Sequence, residues 1–323
     1  MCRAVAPLVP QADGFWRCGH ADCGARLALC ENYRMHDVCN RCVAVPTTGR
    51  PEPYCDCCRY NYTIPDLSVP GNIEKWCRLE AAKRRLFYDL DLLGLPRGTS
   101  RDGFSPPLSF DFKADEIPAT DMWRTAGDEE RVYTGHSNGH ITINIREADE
   151  VERERLRVDL GEAHRTLIGH FRHEIGHYYW DVLIKGKREA DFGQTFGDPY
   201  SVPYDQALEQ YYAQGGVADW QSSFITVYAC MHPWEDWAET FAFYLDMVSA
   251  LDTAVHNGFM RQSPACFESM TAMVAAYQRL GVGLNEMSRT LGLLDMVPEV
   301  PSDPVVRKLS FIHALCPPKS AAR

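Results

Sequence analysis

The chain has 323 residues, an apolar fraction of 45% and a formal charge of −11, which suits a soluble globular protein of one large domain or two smaller ones. The negative balance argues against a general affinity for nucleic acid or acidic membranes, and no apolar run reaches membrane-spanning length. Thirteen cysteines, nine of them before residue 60, follow an N-terminus with no secretory cleavage pattern, so a cytoplasmic location with reduced, metal-binding thiols is expected.

In chain order, residues 1–62 are rich in Cys, Gly, Pro and Arg and form a small module that cannot build a core unaided. Residues 63–72 read as a linker with turn signals, and 73–323 as a second, larger domain. IEKWCRLEAAKRRLFYDLDLLG (73–94) predicts a long amphipathic helix with Trp76, Leu79, Ala82, Leu86 and Leu90 on one face, ended by Gly94 and Pro96. The run Lys83-Arg84-Arg85 reads as a solvated face of that helix. LSFDF (108–112) is a short strand candidate. VYTGH (132–136) and HITINI (140–145) flank SNG, and the Asn138-Gly139 pair predicts a hairpin. Residues 148–184 predict two helices broken near Gly161. Residues 186–221 read as a long loop with short helices. Helices follow at about 233–250, 263–279, 284–292 and 304–315.

The chemistry is concentrated in two stretches. HFRHEIGHYYW (170–180) holds His173-Glu174-Ile175-Gly176-His177. On a helix the two histidines lie one turn apart and can present ring nitrogens to one zinc ion, with Glu174 placed as general base toward a metal-bound water. No downstream Gly and His supply a third histidine, so a carboxylate from a separate helix is required. HPWEDWAETFAFY (232–244) offers Glu235 and Glu239, four residues apart on an apolar and aromatic face. Two buried acids are costly unless a metal and a ligand histidine satisfy them; one would bind zinc and the other would accept the far N–H of a ligand histidine. His170 and Asp181 lie on the first helix near this face, the former read as a packed or surface histidine, the latter as a possible acceptor from a ligand imidazole.

The N-terminal cysteines predict a second, structural zinc. Cys39-Asn-Arg-Cys42 and Cys55-Asp-Cys-Cys58 form two knuckles of the four-thiolate kind. Cys18, His20 and Cys23 lack a full second knuckle. Cys77, Cys230, Cys266 and Cys316 sit in helical patterns and read as packed thiols.

His173-Glu174-x-x-His177 followed by Glu235-Asp236-Trp237-Ala238-Glu239 resembles the gluzincin metallopeptidases, in which the downstream helix often reads Glu, any residue, aromatic, Ala. It is similar in the site motif to the lethal-factor-like branch, departing from it at Asp236, where that branch has an aromatic. The resemblance implies Glu235 as metal ligand, Glu239 as the carboxylate behind a ligand histidine, and Tyr228, seven residues before Glu235, as the hydroxyl that steadies the oxyanion. Over nearly the whole chain the sequence resembles the bacterial zinc-binding metallopeptidases with an N-terminal zinc ribbon, through CENYRMHDVCN, CDCCRYNYTIPDLS, WCRLEAAKRRLFYDLDLLGLP, NGHITINIREAD, RTLIGHFRHEIGHYYWD and EDWAETFAFY. That family pairs Cys30 and Cys39 with Cys55 and Cys58, leaving Cys42 as the alternative fourth ligand.

The resemblance implies an α+β fold: a mainly helical zincin-like metallopeptidase domain with a small antiparallel sheet, behind a small Cys-rich ribbon. HITINI would be the edge strand that pairs with substrate backbone. The expected function is zinc-dependent peptide-bond hydrolysis with Zn2+ at one catalytic and one structural site, acting on a peptide or protein substrate without nucleic acid or membrane. The alternatives are a ribbon that docks a protein partner in front of a scaffold domain, and a zinc hydrolase acting on something other than a peptide.

Overall fold

The computed structural model describes residues 7–115, 132, 134–151, 153, 166–297 and 300–316. The expected break near Gly161, and the helix before it beyond residue 153, lie outside the described residues. The described chain falls into two compact units, one drawn from within 1–85, 108–135 and 140–167, the other from within 86–107, 136–139 and 168–323.

In the first unit, β1 (Leu8–Pro10), β2 (Trp16–Cys18), β3 (Arg26–Leu29) and β4 (Cys42–Ala44) form an antiparallel sheet in sequence order. The short helix α1 (Glu31–His36) stops at Asp37, which takes a left-handed backbone at φ 55°. A second sheet contains β5 (Asn61–Thr63), β6 (Ser109–Lys113), β7 (Gly135–Ser137) and β8 (His140–Asn144) in the order β5-β6-β8-β7. Two features of this sheet differ from expectation. β5 pairs with β6 and β6 with β8 in parallel, not antiparallel. Because β8 lies between β6 and β7, HITINI is an interior strand and its backbone groups are already engaged. The predicted turn between β7 and β8 is present, with Asn138 at φ 49° and Gly139 at φ 85°, as a two-residue primed turn requires. Gly139 also admits no side chain, since a Cβ there would stand 2.0 Å from the Pro107 carbonyl oxygen.

Helix α2 spans Asn72–Leu93. Its buried stripe comprises Trp76, Leu79, Leu86, Phe87 and Leu90, but the turn between them buries Lys83 and Glu80 instead of Ala82. Lys83 is therefore not on a solvated face. Its ammonium meets the Glu80 carboxylate at 2.9 Å and hydrogen-bonds the Asn61 side-chain oxygen, while Asn61 and the Trp76 indole donate to the same Glu80 oxygen. Neighbouring Arg84 donates to the Val38 carbonyl at 2.8 Å.

The second unit is helical: α3 (Leu167–Leu183), α4 (Glu189–Phe196), α5 (Tyr204–Gln214), α6 (Pro233–His256), α7 (Met270–Thr290) and α8 (Asp303–Leu315). Helix α6 is the hub, packed against α4, α7 and α8, with Trp237, Ala238, Phe241, Tyr244, Leu245, Met247 and Leu251 fully buried. His232 starts it by accepting the Trp234 N–H at 3.2 Å, and Pro233 occupies the first turn, where no N–H is needed. Arg172 of α3 binds Asp89 of α2 at 2.9 Å and Asp246 of α6 at 2.7 Å, and Tyr277 of α7 donates to Asp246. These bonds fix the orientation of α3 against α6. The two helices expected at 263–279 and 284–292 are a single helix, α7, preceded by a 3-10 turn at Pro264–Cys266. Gly281 lies inside it because Val297 packs where a Cβ would be, 2.6 Å away. Cys266 is exposed, not packed, whereas Cys316 is buried.

Candidate metal centres

In the first unit, Cys30, Cys39, Cys55 and Cys58 converge, all buried, with their sulfurs within 4.8 Å of one another. Cys30 precedes α1, and Cys55 and Cys58 sit on the turn leading to β5. Backbone N–H groups aim at the sulfurs: Cys55 N at Cys30 Sγ, Cys58 N at Cys55 Sγ and Arg41 N at Cys39 Sγ, at 3.3–3.4 Å. Such donors favour thiolates. Four thiolates about 2.3 Å from a tetrahedral zinc stand about 3.8 Å apart, and Cys39 Sγ lies 3.8 Å from Cys55 Sγ. The donor set and its spacing thus fit zinc. Cys42 stands outside the group and is half-buried, its thiol pushed up by burial and by the charges of Cys55 and Cys30. Among the described residues no cluster forms around Cys18, His20 and Cys23.

In the second unit, His173, His177 and Glu235 bring one donor atom each within 4.8 Å of the others. The His173 and His177 Nε2 atoms face each other at 3.1 Å, Glu235 Oε2 is 3.1 Å from His173 Nε2, and Glu235 Oε1 is 3.4 Å from His177 Nε2. Tetrahedral donors at about 2.0–2.1 Å from zinc would stand about 3.3 Å apart. His173 Nδ1 lies 2.6 Å from Glu239 Oε1; with the proton on Nδ1, its Nε2 presents a lone pair to the gap. Glu235 Oε2 is buried and accepts no hydrogen bond, although a buried carboxylate oxygen ordinarily needs a partner. Two ring nitrogens and an unsatisfied carboxylate oxygen around one point suit a cation, so these residues fit zinc as well.

The same side chains also act on one another electrostatically. Burial would lower the pKa of His173, but the Glu235 and Glu239 carboxylates raise it well above the ordinary value. Burial would raise that of Glu235, but the imidazoles of His177 and His173 hold it well below. Glu174, 7% exposed beside them, is pushed up by burial.

The approach of α3 and α6 depends on small residues. Gly176 faces Ala238: a Cβ on Gly176 would lie 3.0 Å from the Ala238 Cα and 3.2 Å from its oxygen. The Trp237 indole donates to the Gly176 carbonyl at 2.8 Å. Both positions fall inside the quoted motifs.

Several supporting residues carry no signal in the sequence. Thr226 donates to Glu239 Oε2 at 2.8 Å and accepts the Ala229 N–H, so Glu239 is held on both oxygens. Tyr204 donates to Glu235 Oε1 at 2.9 Å. Asp236, the departure from the motif, is buried in an ion pair with Lys308 of α8 at 2.6 Å, and Lys308 also donates to the Ser223 carbonyl. Tyr228 lies beside the site, its ring 6.1 Å from that of His173. Asp181 pairs with Lys185 at 3.3 Å on the exposed side of α3, while the imidazole of His173 is taken by Glu239.

Residues 72–315 match the family described as "Putative zinc-binding metallo-peptidase", and residues 2–69 match a zinc-ribbon domain. An uncharacterized protein of Mycobacterium bovis and two of Mycobacterium tuberculosis are each 37% identical over 300 residues, which is 90% of this chain and 83% of the relative. No solved structure matches significantly. No described helix is long and apolar enough to cross a membrane. With two donor sets that fit zinc and a family match over most of its length, the chain belongs to the zinc-binding metallopeptidase family and carries a zinc-ribbon domain ahead of the metallopeptidase region.

Proposed function

We propose that the protein hydrolyses peptide bonds in a peptide or protein substrate, with residues 1–62 as a ribbon module around one structural zinc, 63–72 as the connection, and 73–323 as the catalytic domain. His173, His177 and Glu235 hold the catalytic ion; Cys30, Cys39, Cys55 and Cys58 hold the structural one. The single observation that carries the reading is the convergence of the His173 and His177 Nε2 atoms, 3.1 Å apart, on the buried Glu235 carboxylate, whose oxygens lie 3.1 and 3.4 Å from them. Zinc, when bound, supplies a Lewis acid that polarises a carbonyl and makes water a stronger acid.

The remaining chemistry belongs to the chain. Glu174 is the general base: its carboxylate takes a proton from water and passes it to the nitrogen of the leaving amine. Burial, which raises its pKa, makes the carboxylate a better proton acceptor than an exposed glutamate. Glu239 accepts the His173 Nδ1 proton and so orients the ring and strengthens its other nitrogen as a donor to the metal. Thr226 keeps Glu239 in that role. Tyr228 stays protonated because burial pushes its pKa up, and it serves as a hydrogen-bond donor to the developing oxyanion, a contribution of about 3 kcal/mol where such donors have been removed.

The test is Glu174→Gln on the purified full chain. Zinc content stays at two ions per chain and peptide hydrolysis falls to background, whereas His173→Ala loses one ion. Hydrolysis that survives Glu174→Gln removes Glu174 from the role of base.

A further inference from the structure

The segment between α4 and α6 has the composition of a loop, yet it sends one side chain into the metal site. Helix α5 buries only Ala207 among its eleven residues. What it contributes inward is aromatic. The Tyr204 ring stands 5.4 Å from the His232 ring and 6.2 Å from the Trp234 ring. His232 caps α6 and Trp234 directly precedes Glu235. Packed on both, Tyr204 reaches the Glu235 side chain 31 residues away and donates to Oε1 at 2.9 Å. Further along α5, Tyr211 places its ring 5.6 Å from that of Tyr228.

The two Glu235 oxygens are therefore unlike. Oε1 accepts the Tyr204 hydroxyl and lies 3.4 Å from His177 Nε2; Oε2, 3.1 Å from His173 Nε2, accepts no hydrogen bond. A carboxylate free to turn about its last torsion could offer a metal either oxygen or both. A hydroxyl bonded to one oxygen removes that choice at the cost of a single hydrogen bond.

We propose that Tyr204 is a positioning residue of the metal site, pinning Glu235 through Oε1 so that Oε2 is the oxygen left to the ion. This rests on the reading of His173, His177 and Glu235 as metal ligands. Single-oxygen ligation leaves a coordination position to water and substrate, which a chelating carboxylate would crowd. Tyr228 lies beside the His173 ring at 6.1 Å, while the Glu235 carboxylate is held by Tyr204, so the two tyrosines differ in what their loss does to the metal.

The experiment is metal binding by the full chain, with activity set aside. Cobalt(II) at the four-cysteine site shows sulfur-to-metal charge transfer, and cobalt at the histidine–glutamate site shows only d–d bands, so the two sites are read separately in one sample. Competition with a chelator then gives the affinity of the second site. Tyr204→Phe keeps the ring and its packing; its affinity at the histidine–glutamate site falls about tenfold to a hundredfold and the d–d envelope shifts, while the charge-transfer bands and the far-ultraviolet circular dichroism stay as in the parent. Tyr228→Phe keeps the affinity within about threefold of the parent. Tyr204→Phe binding within twofold of the parent overturns the proposal. So does Tyr228→Phe weakening the site as much as Tyr204→Phe. A parent protein that takes up cobalt only at the four cysteines overturns the metal-site reading itself, a failure distinct from the other two.

Discussion

The contact between Gly176 and Ala238 yields the sharpest quantitative expectation. In Gly176→Ala the added Cβ meets the Ala238 Cα at 3.0 Å and its oxygen at 3.2 Å. These are backbone atoms, so relief requires α3 and α6 to separate by a few tenths of an ångström. Overpacking of this kind costs about 1–3 kcal/mol. Alanine in a helix interior recovers about 1 kcal/mol over glycine. The clash wins because no flexible side chain can move aside. A net loss of about 1 kcal/mol lowers the melting temperature of a domain of this size by about 2–4 °C. The same separation carries His177, one residue beyond Gly176, away from Glu235 and Glu239, which bracket Ala238. Donor atoms now 3.1–3.4 Å apart would spread past tetrahedral zinc spacing, and zinc affinity falls about tenfold. Scanning calorimetry and chelator competition measure the two effects. Adding Ala238→Gly does not restore either, because the nearest atoms are not the Ala238 side chain. A Gly176→Ala protein that melts higher than the parent and binds zinc equally would refute the claim that this contact sets the spacing of the site.

Two further outcomes are expected. Lys308→Met leaves the Asp236 carboxyl buried without its cation, so it must stay ionised unpaired or take up a proton, at a cost of about 3–5 kcal/mol in urea unfolding, whereas Asp236→Asn combined with Lys308→Met, free of charge, recovers most of the loss; equal losses in the single and double variants would contradict this. Metal analysis separates the two possible fourth ligands of the ribbon: Cys30→Ser loses the structural zinc and Cys42→Ser retains it, and the reverse pattern would reassign the site.

The parts of the fold and site legible in the sequence are those with a short period. His173 with His177, and Glu235 with Glu239, are read directly because a helix brings i and i+4 to one face. Asn138-Gly139 announces its turn because few residues accept positive φ. What pairs with these elements is set by the fold as a whole. Tyr204, Thr226 and Lys308 reach their carboxylates across loops or from another helix, and no spacing rule marks them. Strand alternation gives no direction, so the parallel pairing of β6 with β8, which makes HITINI an interior strand, had no signature. Lys83 misleads because its charge suggests solvent while its place in the stripe from Trp76 to Leu90 puts it inside, beside a glutamate four residues from Trp76 that also falls in the stripe. The glycines within α7 suggest a break, and packing against Val297 overrides it.

Helix α6 supplies two carboxylates to the histidine pair while its other faces form the centre of the helical unit. Unfolding that unit therefore disperses the donors, and an ion held by them must leave. By mass action a ligand bound only to the native state adds about 4 kcal/mol at a thousandfold excess over its dissociation constant. Heat resistance and metal occupancy then become one quantity for this half of the molecule, and a melting curve recorded against free zinc is a titration of the site that needs no substrate.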